Sequence, residues 1–425
     1  MKFYMVGGAV RDLMLGLKQK DYDFVVVGAT PDDFGGWKQV GKDFPVFLHP
    51  VTGWEVALAR TERKTGRGHT DLSIETSGVT LEEDLSRRDL TINSVAIEVD
   101  FDTSVLLGEP MLLGGFIDPF NGVSDAKAKI LRHTSAAFSE DPLRVLRVAR
   151  FLSRLPEWTV AEETEDMMRS MDLSHLTPER VWLETLKAMG ENKPSIYFEK
   201  LSEWCDVFPI WNCMQDTPQR LDHHPEGDVA THVGMVMDYA AETYKDTEIT
   251  FAALCHDFGK PVCWELYQNA HGHEDAGLPL IEEFCDKWKV PNSYRKLSLM
   301  TCKYHTKIHG CLGRGSNRGM RPKSIMKLFE DTGALRNPEM FLKMLKVCEA
   351  DSRGRGKGTE QINEFRARPY PQREFMEQCL NAVLRFNTKL LSEDLLAKGK
   401  SGVIIGETIR QERIKLIRGV INNWR

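Results

Sequence analysis

Residues 2–28 read KFYMVGGAVRDLMLGLKQKDYDFVVVG, and their order decides the first domain. A short apolar run, Phe3–Val6, enters Gly7-Gly8, an amphipathic turn covers Val10–Leu15, and after a polar loop a second apolar run spans Asp21–Val27. A strand alternates its side chains between two faces. Read as a strand, this second run puts Asp21 and Asp23 on one face and sends Tyr22 and Phe24 into a core on the other. Two carboxylates fixed on one face can hold Mg²⁺, which takes oxygen ligands and is commonly shared with substrate phosphates. Gly7 and Gly8 let backbone N–H groups approach a phosphate, and Arg11 adds a bidentate donor. A D-x-D alone is most often a solvated turn, and a G-G alone a bend. Their order (strand, G-G, helix with Arg-Asp, strand opening on D-x-D) outlines a nucleotidyl-transfer site with Asp21 and Asp23 as its catalytic pair.

Working outward, Val56–Ala59 is a strand candidate, followed by the basic loop RTERKTGRG over residues 60–68. Four cations and two glycines in that loop suit phosphate contact about as well as they suit a solvated turn. Glu55 opens the strand and could face the aspartates as a third carboxylate, but it is read as orienting a neighbouring cation, outside the metal set. The stretch LEEDLSRRDLTINSVAIEV then places Arg87-Arg88-Asp89 between an acidic helix and an apolar strand, Val95–Val99. Residues 100–115 read as an enlarged hairpin.

From Ser139 the period becomes helical, with Ser139 as N-cap and Pro142 in the first turn. In EDPLRVLRVARFLSRL the residues Val145, Leu146, Val148, Ala149 and Leu152 form a buried face, while Asp141, Arg144, Arg147 and Arg150 recur every third position. An ordinary amphipathic helix with solvated charges is the bland reading of this pattern. Asp141 and Arg144 also have the chemistry to read a base without a template. A carboxylate accepts from the exocyclic amine of C or A, and a guanidinium donates to the adjacent ring nitrogen. U and G reverse both groups. Arg147 and Arg150 suit phosphates.

GGAVRD, DYD, VGKDFPVFLHP, ARTERK, RRDLTIN, EDPLRVLRVARF and LTPERVW together resemble the tRNA nucleotidyltransferases, the CCA-adding enzymes of the DNA polymerase β superfamily. The resemblance runs from residue 1 to about 420. It implies a nucleotide site that includes Gly8, Arg11, Arg88 (braced by Asp89), Asp141, Arg144, Arg147 and Arg150. It also implies CTP, ATP and tRNA as partners. The fold it implies is an α+β head with a mixed sheet over residues 1–138. An all-α remainder would follow: a neck (139–222), an HD domain (223–355) and a tail (356–425).

The HD expectation has its own residues. His232 lies on an apolar helical pattern, AALCHDFGK contains His256-Asp257, and Asp351 follows in EADSRGR. A single histidine on an apolar face is more often a core residue than a ligand, but His-Asp followed by F-G-K is more specific. The set resembles the HD metal-dependent phosphohydrolases. Imidazole with carboxylate suits a transition metal such as Ni²⁺ that activates water. His273 and His305 are candidate supplementary ligands or phosphate contacts.

Composition sets bounds. The chain has 425 residues, net charge −6 and 28% charged residues, so RNA contact must come from local patches. One such patch is the C-terminal segment from Asp394, with seven Lys/Arg against three Asp/Glu. Its apolar side is read as Ile409, Ile414, Leu416, Ile417, Val420 and Ile421. Nine cysteines, all from Cys205 onward and none in C-x-x-C, argue against a disulfide framework. No signal peptide and no membrane-length apolar run is apparent, so a reduced, cytoplasmic enzyme is expected, as monomer or homodimer. Four rivals remain: a poly(A) polymerase with the same core, a partial CC-adding enzyme, which the intact basic loop disfavours, a chain that is chiefly an HD phosphohydrolase, and a tRNA-binding protein with an inactive head. Intact Asp21 and Asp23 argue against the last.

Overall fold

Strand β1 (Lys2–Val6) pairs antiparallel with β2 (Asp23–Val27), Val6 lying opposite Asp23. The computed structural model describes residues 1–19, 21–40, 46–64, 72–313 and 318–424. Much of the basic loop and part of VGKDFPVFLHP therefore lie outside the described residues. The chain divides into two compact units, Met1–Arg180 with Glu203–Cys205, and Val181–Ser202 with Asp206–Arg425.

In the first unit β3 (Lys38–Val40), β4 (Val46–Leu48) and β5 (Glu55–Leu58) extend the sheet on the β2 side. A separate ribbon follows, β6 (Thr61–Lys64) with β7 (Leu72–Glu75). Strands β8 (Ala96–Asp100) and β9 (Met111–Leu112) complete the main sheet in the order β3-β4-β5-β2-β1-β8-β9. All neighbours are antiparallel except β2–β5, which run parallel. The sheet is mixed, as expected. One face buries Met5, Phe24, Val26, Val56, Leu58, Ile97 and Val99; the other buries Tyr4, Val6, Val25 and Ala96. Cover on both faces explains why the central strands read as nearly unbroken apolar runs.

Three local readings are corrected. Strand β2 starts at Asp23, not Asp21, because Gly7 turns its partner away at φ 65° and leaves residues 21 and 22 with nothing to pair with. The in–out alternation nevertheless holds: Tyr22 and Phe24 pack on Trp54 at 5.7 and 5.3 Å, and Asp21 and Asp23 are exposed. Residues 100–115 are not a simple hairpin. Asp100 caps a helix, Phe101–Leu107, by accepting the Thr103 N–H, and Phe101 stacks on Phe3 at 4.3 Å. Finally, the basic helix runs Leu143–Arg154, and Ser139 lies before it in a 3₁₀ turn, Ala136–Glu140. Pro142 has no N–H to offer, so Asp141 accepts from the next amide, Leu143, at 3.1 Å. The expected inner face, Val145, Leu146, Val148, Ala149 and Leu152, is buried.

In the second unit the helices Val229–Tyr244, Thr247–Cys255, His273–Lys287, Asn292–His309 and Pro338–Arg353 pack as a bundle. The terminal helix Gly402–Trp424 buries Ile405, Ile414 and Ile417, whereas Leu416, expected on that side, is 36% exposed. All nine cysteines are free. Among the described residues no helix is long and apolar enough to cross a membrane.

Candidate functional site

In the first unit a cleft of about 510 Å³ opens beside Gly7 and Gly8. Gly7 is held at φ 65°, which favours glycine, and a Cβ there would also press on Arg88 Nη1 at 3.3 Å. Seven arginines line the cleft against three aspartates, Asp23, Asp89 and Asp141. Such an excess of fixed positive charge attracts a polyanion. Three of these guanidiniums, Arg11, Arg147 and Arg150, gather 4.8–6.0 Å from the Phe151 ring.

Asp23 lies at the cleft wall, and Glu55 is its direct partner across the parallel β2–β5 pair. Paired residues share a face, so Glu55 stands as a third carboxylate in that row, the alternative that its place at the start of β5 allowed. Partial loss of solvent and then Glu55 raise the Asp23 pKa, Arg88 opposes them, and Asp21 adds a smaller push upward. Carboxylates crowded in this way could receive a cation, whose charge would relieve the repulsion.

The arginines are positioned by partners that the sequence did not reveal. Asp84, fully buried in helix Leu81–Ser86, receives Arg87 at 2.9 Å and Arg88 at 3.1 Å from the C-terminal end of that helix. Arg88, just past the C-cap of helix Leu81–Ser86, is thus braced by Asp84 and not by Asp89. Asp89 instead holds Arg147 at 2.7 Å and Asn93 at 2.9 Å. Arg11 lines the cleft but is heavily committed: its Nε and Nη2 donate to Asp12 and its Nη1 to Asn93, at 2.8–3.0 Å. Asp141 pairs with Arg180 at 2.8 Å, and Arg144 donates to the carbonyls of Ala137 and Arg87. Arg180 belongs to the LTPERVW motif, and only the fold brings it to Asp141.

Burial alone would raise the Asp84 pKa, but Arg88 and then Arg87 outweigh it and hold it below the ordinary value. Its stabilisation is therefore complete above the unfolded value of about 3.9 and is lost as pH falls through the lowered folded value. Asp84→Asn is expected to cost on the order of 3 kcal/mol at neutral pH. Urea unfolding at pH 7 and at pH 3 should show the gap to wild type narrowing on acidification; an unchanged midpoint at pH 7 would refute the assignment.

In the second unit His232, His256, Asp257 and Asp351 meet, as expected. His232 Nε2 is 3.1 Å from Asp351 Oδ1, and His256 Nε2 is 3.1 Å from Asp257 Oδ2. His273 and His305 join on the other side of Asp257, at 3.3 and 3.7 Å from Oδ1. His309 was missed, although its i+4 spacing from His305 on one helix was a usable signal; its Nε2 lies 2.6 Å from Asp351 Oδ2. Arg355 and Lys260 flank the two aspartates at 2.6 and 2.7 Å. Burial pushes His305 down to about 3, so that imidazole is neutral. Burial acts to raise both aspartate pKa values, yet Asp257 is held low by His256 and Lys260, and Asp351 by Arg355 and His309. Asp257 is 1% exposed, and neither of its oxygens completes a well-formed hydrogen bond; nor does His256 Nε2. Buried groups left this way, in a set of imidazoles and carboxylates, fit a divalent transition metal. A cavity of about 540 Å³ leads to them.

The model of the Poly A polymerase head domain matches residues 3–132. The chain is 43% identical to the multifunctional CCA protein of Hahella chejuensis over 431 residues, covering 98% of this chain and 95% of that one. It is 41% identical to that of Thioalkalivibrio sulfidiphilus over 438 residues, covering all of both. In fold it is similar to the apo form II of a CCA-adding enzyme, with TM-score 0.62 and 22% identity over 99% of this chain and 90% of that one. It is likewise similar to the Bacillus stearothermophilus CCA-adding enzyme in complex with CTP, with TM-score 0.61 and 22% identity over 98% and 89%. A head match shared with poly(A) polymerases leaves the branch open, but full-length identity above 40% does not: the chain belongs to the family of multifunctional CCA proteins.

Proposed function

We propose that the chain adds and repairs the 3′-terminal CCA of tRNA from CTP and ATP, choosing each nucleotide with side chains and without a nucleic-acid template. The observation that carries this is the arginine-lined cleft holding Asp23, Asp141 and Arg144 together. Asp21 and Asp23 are the residues to hold Mg²⁺, which when bound neutralises the triphosphate and lowers the pKa of the attacking 3′-hydroxyl. Arg88, anchored by Asp84, and Arg147, anchored by Asp89, are held ready for phosphate oxygens. A pre-positioned guanidinium loses little freedom on binding, so its donors act at low entropic cost. Arg150 extends the same cationic wall and Gly8 the backbone one.

Asp141 and Arg144 are assigned to the base edge. Arg144→Ala is expected to lower incorporation of C and A and to relax rejection of U and G by about 1–3 kcal/mol. Because Arg144 also ties down the Ala137 and Arg87 carbonyls, turnover should fall as well. The nucleotide ratio is therefore the decisive readout, and an unchanged ratio would move selection elsewhere. The overall reading is tested with tRNA transcripts lacking one, two or three terminal residues, each given single nucleotides. Addition of C, C and then A supports it, and ATP-only extension would favour the poly(A) reading.

A second activity is favoured by the buried centre around Asp257. His232, His256, Asp257 and Asp351 are the residues to hold a transition metal such as Ni²⁺, which when bound acidifies a water enough to attack a phosphate ester near neutral pH. Lys260 and Arg355, beside the two aspartates, offer charge to a phosphate at the cavity floor. Damaged tRNA ends carrying a 2′,3′-cyclic or terminal phosphate are the substrates proposed, so that one chain clears the end and then extends it. The basic tail is assigned to the tRNA backbone.

A further inference from the structure

We infer that Trp264 is a base platform: its indole stacks on the base of the nucleotide whose phosphate occupies the floor of the cavity in the second unit. This rests on reading that cavity as a phosphohydrolase site, and it names the residue that selects the substrate there.

Floor and wall come from one helix, Lys260–Tyr267. Lys260 is buried at the floor, its Nζ 2.7 Å from Asp257 Oδ2 and 2.6 Å from Gln219 Oε1. An ammonium has three donors, so one N–H is left for a phosphate oxygen. Trp264 follows four residues later, on the same helical face and about 6 Å further along the axis. That step is close to the span of the ribose between a phosphate and its base. Both side chains line the same cavity. At about 540 Å³ the cavity has the size of a site for a small organic ligand, roughly 300–1,000 Å³, and a phosphate alone would fill only its floor.

The packing of the bundle does not use the Trp264 ring as it uses the others. Trp182 lies on Phe251 at 5.3 Å and Trp211 on Phe198 at 5.4 Å. Trp264 is half-buried, and among the described residues no second aromatic ring lies against it. Its backbone is nevertheless fixed, because its carbonyl accepts the Gln268 N–H at 2.9 Å and Gln268 Nε2 at 2.8 Å. The loop that follows is tied as well, Asn269 Oδ1 accepting the His271 N–H at 2.8 Å. His223 and His271 line the same cavity and are exposed. The result is a rigidly mounted indole in a cavity whose floor carries a cation.

Stacking sets the kind of selectivity. Every base has a π-face, so an aromatic platform accepts all four and discriminates only against a phosphate that carries no base. This is the opposite of the head, where Asp141 and Arg144 are assigned to a hydrogen-bond pattern. It suits the substrate proposed above, since tRNA ends broken at different positions carry different bases.

The test compares adenosine 3′-phosphate with base-free ribose 5-phosphate. The full chain carries Asp141→Ala and Arg144→Ala, so that base contacts in the head do not contribute. In equilibrium dialysis of chelator-treated protein, Trp264→Ala is expected to weaken adenosine 3′-phosphate about tenfold and ribose 5-phosphate by less than about twofold. Cytidine 3′-phosphate should follow adenosine 3′-phosphate. Trp264→Phe, which keeps a ring, should recover most of the loss; Trp264→Leu, which keeps apolar bulk without a π-face, should not. The leucine variant decides if the alanine variant does not fold. In hydrolysis with Ni²⁺, KM for the nucleotide should rise while kcat stays nearly unchanged. No binding of the nucleotide by the parent, equal weakening of both ligands, or full recovery by leucine overturns the platform. Base-dependent binding without metal-dependent hydrolysis keeps the platform and removes the phosphohydrolase reading; hydrolysis with no preference for the nucleotide does the reverse.

Discussion

Asp23→Ala is expected to lower CCA addition by roughly three orders of magnitude, about 4 kcal/mol in the transition state, while leaving the fold intact. The two halves of this expectation have separate causes. Loss of activity follows from removing a carboxylate that faces the cleft beside Glu55 and Arg88. Retention of the fold follows from the raised pKa. A carboxyl whose folded pKa lies above its unfolded value destabilises the protein as pH rises through that range, so removing it relieves repulsion near neutrality. Thermal denaturation should therefore show a melting temperature equal to or above that of wild type. Near-normal addition by the folded variant would end the assignment of Asp23, and a collapsed melting temperature would show that its role is structural. Asp21→Ala tests the other proposed ligand in the same assay.

The second large effect is placed in the other unit. Asp257→Asn should reduce metal-dependent hydrolysis of a terminal or 2′,3′-cyclic phosphate by a hundredfold or more, about 3 kcal/mol, because the amide cannot replace an anionic ligand. Addition of CCA to a transcript with a free 3′-hydroxyl should stay within about twofold. The assay compares Ni²⁺, Co²⁺, Mn²⁺ and Mg²⁺ in both proteins. If the cluster were only a packed polar core, the variant would lose stability and no specific activity. Equal hydrolysis in a folded Asp257→Asn would exclude this carboxylate, and absence of hydrolysis in the wild type would exclude the activity itself.

Much of the molecule was legible in its sequence because its signals are local. The alternation around Asp23, the apolar positions of the basic helix and the H-D-F-G-K turn each depend on residues a few positions apart, where strand and helix periods fix direction. Those readings carried over, and the family resemblance agreed with them. Errors arose where a neighbour from elsewhere decides the outcome. The start of β2 depends on where β1 stops pairing, and that depends on the Gly7 turn. The cap before Leu143 depends on which amide Pro142 leaves unsatisfied.

The sequence by itself determined the class of chemistry: a carboxylate pair after a glycine turn, a basic stripe on a helix, and a histidine–aspartate set downstream. Tertiary structure alone decided which charges meet. Asp84 braces Arg88, Asp89 turns to Arg147 and Asp141 to Arg180, while Glu55 stands in register with Asp23. It alone set His273 and His305 against the free edge of Asp257, from a helix start and a helix end far apart in the chain. Residue type fixes what a side chain can donate or accept, and local period fixes which way it points. Its partner is chosen by packing between segments that no short-range pattern encodes, and buried charge makes that choice strict, because an unpaired ion in the interior costs several kcal/mol.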